Sequence, residues 1–81
     1  MERRSFKING IEVLVSHDDV INAMKAVPPE SVQSHGVWVG DQLYPVKQVI
    51  AQATGIDRLD FQSMTARSVL QRLGFKVVRA R

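Results

Sequence analysis

The stretch Gly36-Val-Trp-Val-Gly-Asp-Gln-Leu-Tyr-Pro-Val-Lys47 decides how this chain folds. Val37-Trp38-Val39 and Gln42-Leu43-Tyr44 are β-prone triplets, and Gly40-Asp41 between them reads as a tight turn. Pro45 fits the first turn of a helix, where its missing N–H leaves no hydrogen bond unmade. Val46, Val49, Ile50 and Ala53 then recur at helical spacing, and Gly55 offers a C-terminal stop. Strand, turn, strand and helix are thus predicted from one uninterrupted run. Alternation along the first strand sends Val37 and Val39 to one face and Trp38 to the other. The valines are expected to face the core, leaving Trp38 partly exposed. Tyr44 is expected to pack against the helix it introduces.

The segments on either side complete the pattern. Phe6 to Val15 carries Asn9-Gly10, a dipeptide that tolerates positive φ at both positions and favours a type I′ hairpin. Ser16 is placed to cap a helix, with Asp18 and Asp19 at the positive end of its dipole. Val20, Ile21, Met24 and Val27 form the apolar face of that helix, and Pro28-Pro29 is expected to end it. A polar loop leads back to Gly36. Beyond Gly55, a connection runs to Phe61, and Ser63 or Thr65 is expected to cap the last helix. Ala66, Val69, Leu70 and Leu73 line its inner face. Gly74 stops it, and Phe75 to Val78 forms a closing strand. The order ββ-α-ββ-α-α-β over residues 1–81 predicts one compact α+β domain, with a small antiparallel sheet packed on three helices.

Composition narrows the function. The chain has no cysteine, which excludes disulfides and thiolate metal sites. The N-terminus leads into no apolar signal region, and no apolar run approaches the ~20 residues of a membrane span. A cytoplasmic protein without a membrane role is the expectation. Charge is unevenly distributed. Residues 1–60 hold six Lys/Arg and eight Asp/Glu, a sum of −2, whereas residues 61–81 hold five arginines and lysines and no acid, a sum of +5. This asymmetry fits a polyanionic partner or a solubilising basic end equally well.

The last helix carries the strongest candidates. Arg67 and Gln71 stand one turn apart, with Ser68 and Arg72 beside them. Arg and Gln suit base edges, and Ser or Arg suits phosphate. Lys76, Arg79 and Arg81 follow. Lys47, Gln48 and Gln52 form a weaker outer face on the preceding helix. Trp38 is a candidate for base stacking or for an interface. Helix capping accounts for Ser16-His17-Asp18, since adjacent side chains cannot adopt triad geometry. His35 stands alone in a loop, and two separate histidines do not make a metal site. No activated nucleophile, carboxylate pair or phosphate-binding glycine loop is present, so neither catalysis nor a cofactor is expected. The connection between the last two helices is too long for a simple helix-turn-helix.

The combination Tyr44-Pro45-x-Lys47, Ala53-Thr-Gly55 and Leu70-Gln-Arg-Leu-Gly-Phe75 resembles the N-terminal head domain of McrA-like, modification-dependent HNH restriction endonucleases. This small bacterial module is similar to segments that head other predicted defence proteins, and the resemblance spans roughly half the chain. It implies association with restriction or other DNA-processing systems. It implies no catalysis, because the nuclease of those proteins is a separate domain. Phe61-Gln-Ser-Met64 lacks the glycine that the family often carries there. Lys47 is the conspicuous polar residue of the shared motif. It sits in a first helical turn, where a cation opposes the dipole, so it is expected either to contact a ligand or to cover Trp38 or Tyr44 with its stem.

The leading expectation is a non-catalytic module that binds double-stranded DNA, with Arg67, Gln71, Arg72 and Ser68 on the groove or backbone. Lys47, Lys76, Arg79 and Arg81 would contact phosphates. The alternative is a protein-interaction or dimerisation module that docks a nuclease or another defence component. An exposed apolar patch around Trp38 and scattered arginines would mark that alternative.

Overall fold

Asn9 and Gly10 adopt φ values of 50° and 78°, the paired left-handed conformations of a type I′ turn. They close a hairpin of β1 (Arg4–Ile8) and β2 (Ile11–Val15), in register from Ile8 opposite Ile11 to Arg4 opposite Val15. The computed structural model describes residues 3–79. One face of the hairpin turns Phe6, Ile8 and Val15 into the core.

Helix α1 (His17–Met24) begins as the sequence indicates. The Ser16 hydroxyl accepts from Asp19 N–H, and the Asp19 carboxylate accepts from Ser16 N–H, a reciprocal capping box worth about 1 kcal/mol. His17 does not cap. Its ring stacks on Phe75, with centroids 4.1 Å apart and planes within 5°. The helix ends at Met24 rather than at Pro28. Lys25 and Val27 turn their N–H groups to the carbonyls of Asn22 and Met24, tightening the last turn before the prolines are reached.

Strands β3 (His35–Val39) and β4 (Gln42–Pro45) pair around Gly40-Asp41. Helix α2 (Val46–Thr54) follows β4 with no intervening residue, and Gly55 closes it in the left-handed region at φ 80°. A 3-10 turn over Arg58–Asp60 leads to α3 (Ser63–Arg72). The end of α3 is a Schellman motif, with Phe75 N–H on the Leu70 carbonyl and Gly74 N–H on that of Gln71. The motif reverses the chain into β5 (Val77–Arg79), antiparallel to β3.

The predicted α+β class and element order are those observed. The strands divide into two sheets, β1-β2 and β4-β3-β5. Strands β4 and β5 fill both edges of β3, and among the described residues the first hairpin pairs with none of these three strands. Helices and sheets share one core, in which Ile8, Val20, Val37, Val49, Ile50 and Leu70 are deepest. Val37 and Val39 face inward and Trp38 is 41% exposed, as alternation requires.

Tyr44 is buried, and its hydroxyl lies 2.8 Å from the Val27 carbonyl, with the Met24 carbonyl and the Gln42 side chain also in reach. Its proton ties the end of α1 to the middle sheet. Gly36 is buried against Leu43 and Val32, and a Cβ built there would lie 3.0 Å from Leu43 side-chain atoms. Tyr44→Phe is expected to lower unfolding stability by about 1 to 2 kcal/mol, and Gly36→Ala by about 1 kcal/mol or more through overpacking. Urea unfolding with an unchanged slope checks both.

Candidate nucleic-acid interface

His35 is the first residue of β3 and shares the inner face of that strand with Val37 and Val39. Three elements converge on it. Strand β5 sets Arg79 directly opposite. Helix α3 buries Ala66, Val69 and Leu70 in the core, which leaves Arg67 half-buried on the flank beside β3. Its guanidinium Nη1 lies 3.2 Å from His35 Nε2. A guanidinium only donates, so Nε2 accepts and the neutral ring carries its proton on Nδ1. His35 also lines a cleft of about 350 Å³ together with Lys47, Gln48, Arg58, Leu59 and Ser63.

The electrostatics follow from this crowding. Burial, followed by the charges of Arg67 and Arg79, lowers the His35 pKa from its ordinary value of 6.5. Protonation would consume the lone pair that accepts from Arg67 and add a further positive charge. Among the described residues, the Arg67 Nε is buried without a hydrogen-bond partner, a desolvation that costs on the order of 1–3 kcal/mol. Across the cleft, Arg58 grips Glu30 with both terminal nitrogens, at 2.5 and 3.0 Å. That bond holds the Glu30 carboxyl below its ordinary range and raises the Arg58 pKa. Both side chains are substantially exposed, so the pair adds little stability.

The residues singled out in the sequence fall into separate groups. Arg67 and Arg79 stand beside His35, and Lys47 lines the same cleft. Gln71 and Ser68 are exposed on the outer ridge of α3, with Gln71 one turn beyond Arg67. Arg72 is five residues from Arg67, about 140° around the helix, and lies on the opposite flank. There its carbonyl accepts from Arg4 Nη1 at 2.6 Å. Lys76 is exposed, and its carbonyl accepts the Trp38 N–H at 3.0 Å. The register continues that of β3 and β5, setting Lys76 beside Trp38 on the outer face of the sheet. Arg81 lies outside the described residues.

Two local expectations are corrected. Neither Ser63 nor Thr65 caps α3: Gln62 occupies the cap without a side-chain bond, and Ser63 is already helical. Gln48 is not on an outer face. It is buried, and its amide bridges the Pro28 carbonyl and the Glu30 N–H, each at 3.0 Å. The Lys47 ammonium lies over the Phe61 ring, 5.8 Å from its centroid. The main residue that the sequence reading missed is His35. The signal was its alternation with Val37 and Val39, which extends β3 by two residues.

No described helix is long and apolar enough to cross a membrane. A family model described as SCO5918-like matches residues 8–81. No curated protein and no solved structure matches the chain.

The depressed His35 pKa sets a sign for acid stability. Between its ordinary value of 6.5 and its lower folded value, the unfolded chain binds more protons than the folded one, so stability falls as pH drops through this window. The Glu30 and Asp19 carboxyls, both lowered, add losses only at more acidic pH. NMR titration of the His35 ring should find a midpoint below 6.5, and Arg67→Gln should move it upward.

Proposed function

The chain belongs to the SCO5918-like family, and we propose that it is a non-catalytic module that binds double-stranded DNA through the cationic surface around His35. The observation that carries this reading is the placement of Arg67 and Arg79 beside one histidine, with Lys47 lining the same cleft. Folding brings like charges close together there. A line of phosphates would add counter-charge along that surface. The acid-free segment from residue 61 to 81 contributes most of these cations. Gln71, on the ridge beside Arg67, is within the same helix face and suits a base edge. The resemblance to the head domain of McrA-like endonucleases points the same way, towards a restriction or defence system in which a separate domain or partner cuts.

In this reading Lys47, Arg67 and Arg79 contact the backbone, while Arg72 lies away from the duplex. Fluorescence anisotropy with a labelled duplex at two salt concentrations tests it. Affinity should fall steeply with salt, and Lys47→Gln and Arg67→Gln should each reduce the logarithmic slope by about 1. Arg72→Gln should leave binding unchanged. Absence of binding at about 50 mM salt, or binding indifferent to both substitutions, overturns the proposal.

A second reading has its own observation. Paired residues of a sheet share a face, so Trp38, Leu43, Pro45 and Val78 form one outer apolar surface on β4-β3-β5. Docking of a nuclease or another protein there would bury Trp38. Light scattering after size exclusion distinguishes self-association from DNA binding by a monomer.

A further inference from the structure

We propose that the groove between β1 and α3 receives an extended acidic peptide segment of a partner protein, added as a third strand on the free edge of β1. The geometry starts from the hairpin register. Ile8 and Ile11 flank a two-residue turn, so Ile8, Phe6 and Arg4 exchange hydrogen bonds with β2. The intervening Ser5 and Lys7 therefore turn their N–H and C=O groups to the other side. Among the described residues β1 pairs only with β2, and what faces the other side is α3. A hollow of about 380 Å³ lies between Ser5, Phe6 and Lys7 on one wall and Met64, Ser68 and Arg72 on the other. It continues into one of about 280 Å³ lined by Arg4, Ser5, Phe6 and Arg72.

The groove's dimensions and chemistry select the occupant. Strand β1 has five residues, an edge about 16 Å long, enough to template a segment of similar length. Addition of a strand to such an edge gives affinity through main-chain bonds, while side-chain sites give specificity. Phe6 and Val69 make an apolar floor, and Met64 stands beside it 67% exposed. This is a seat for one apolar side chain. Arg4 and Arg72 close one end, where the Arg4 guanidinium is held by the Arg72 carbonyl. Lys7 stands along the same wall, opposite Glu12 on β2. Neither lining includes an acid, although the Glu12 carboxylate accepts from the Ser5 hydroxyl at 2.6 Å, so the charge complement is a carboxylate placed at the arginine end. A DNA duplex is too broad to reach the floor or the strand edge, and the site lies on the flank of α3 opposite His35.

The test is an NMR titration of isotopically labelled protein with two acetylated pentapeptides of alternating Thr and Val, one ending in two Glu residues and the other in two Lys residues. The acidic peptide should shift the amides of Ser5, Lys7 and Arg72 and bind at least about tenfold more tightly than its lysine counterpart. A backbone N-methylated copy should lose the effect, and Arg72→Glu should reverse the preference. Lys7→Glu, exposed on β1, serves if the first variant fails to fold. The proposal is overturned if neither peptide moves these amides at about millimolar concentration, or if both bind equally. Shifts confined to His35, Lys47 and Arg67 also overturn it, as does closure of the β1 edge by a second copy of the chain. Competition between the peptide and duplex DNA for the groove is a further refuting outcome.

Discussion

The junction at Tyr44-Pro45 holds the rest of the structure in place. Pro45 is at once the last residue of β4 and the cap of α2, in extended conformation at φ −61° and ψ 138°. No loop absorbs error between sheet and helix, so the direction of one fixes that of the other. Tyr44 points inward from this corner and anchors the end of α1 through its hydroxyl. One turn into the helix, Gln48 anchors the loop at Pro28 and Glu30. Five consecutive residues thereby set the relation of α1, the following loop, the middle sheet and α2. These contacts are polar and made by the buried Tyr44 and Gln48 side chains, for which an unmade hydrogen bond is expensive, so they favour one arrangement among the many that would bury the same apolar area.

Much of this was legible because its causes are local. The Asn9-Gly10 turn, the Ser16 cap, the Gly55 and Gly74 stops and the valine alternation of β3 each depend on a few adjacent residues. What was not legible depends on segments distant in sequence. Gln48 and Gln52 look alike by helical spacing, and only the loop folding over Gln48 separates them. His35 reads as a loop residue until β5 arrives opposite it. Arg67 and Arg72 seemed to share a surface because both avoid the apolar stripe of α3. Their separation depends on which neighbour stands at each edge of that stripe, and helical periodicity does not encode it. The division of the strands into two sheets is of the same kind, since edge occupancy belongs to the assembled fold.

Helix α3 consequently has two unlike borders. On one, Arg67 meets a histidine whose neutral form is favoured by burial first and by its cationic neighbours second. On the other, Arg72 meets a strand edge above an apolar floor. The first concentrates charge with little shape, and the second combines shape with charge at one end. The proposed duplex and peptide sites follow from that difference. The same 10-residue helix separates the two and supplies residues to both, so occupation of one flank need not obstruct the other.

The pairing of β5 with β3 has a consequence for how the chain reaches this state. The contacts of the first hairpin and of β3 with β4 are short-range and can form early. The remaining edge of β3 is covered only by Val77–Arg79, at the far end of the described chain. During synthesis from the N-terminus, β3 therefore waits with one side of its backbone open until Val77–Arg79 has emerged. The Schellman turn at Gly74 limits that interval, because completion of α3 itself swings the final strand back into register. Helix termination and sheet closure are thus adjacent in the chain, and a nascent chain that stops short of β5 exposes a sticky edge of β3.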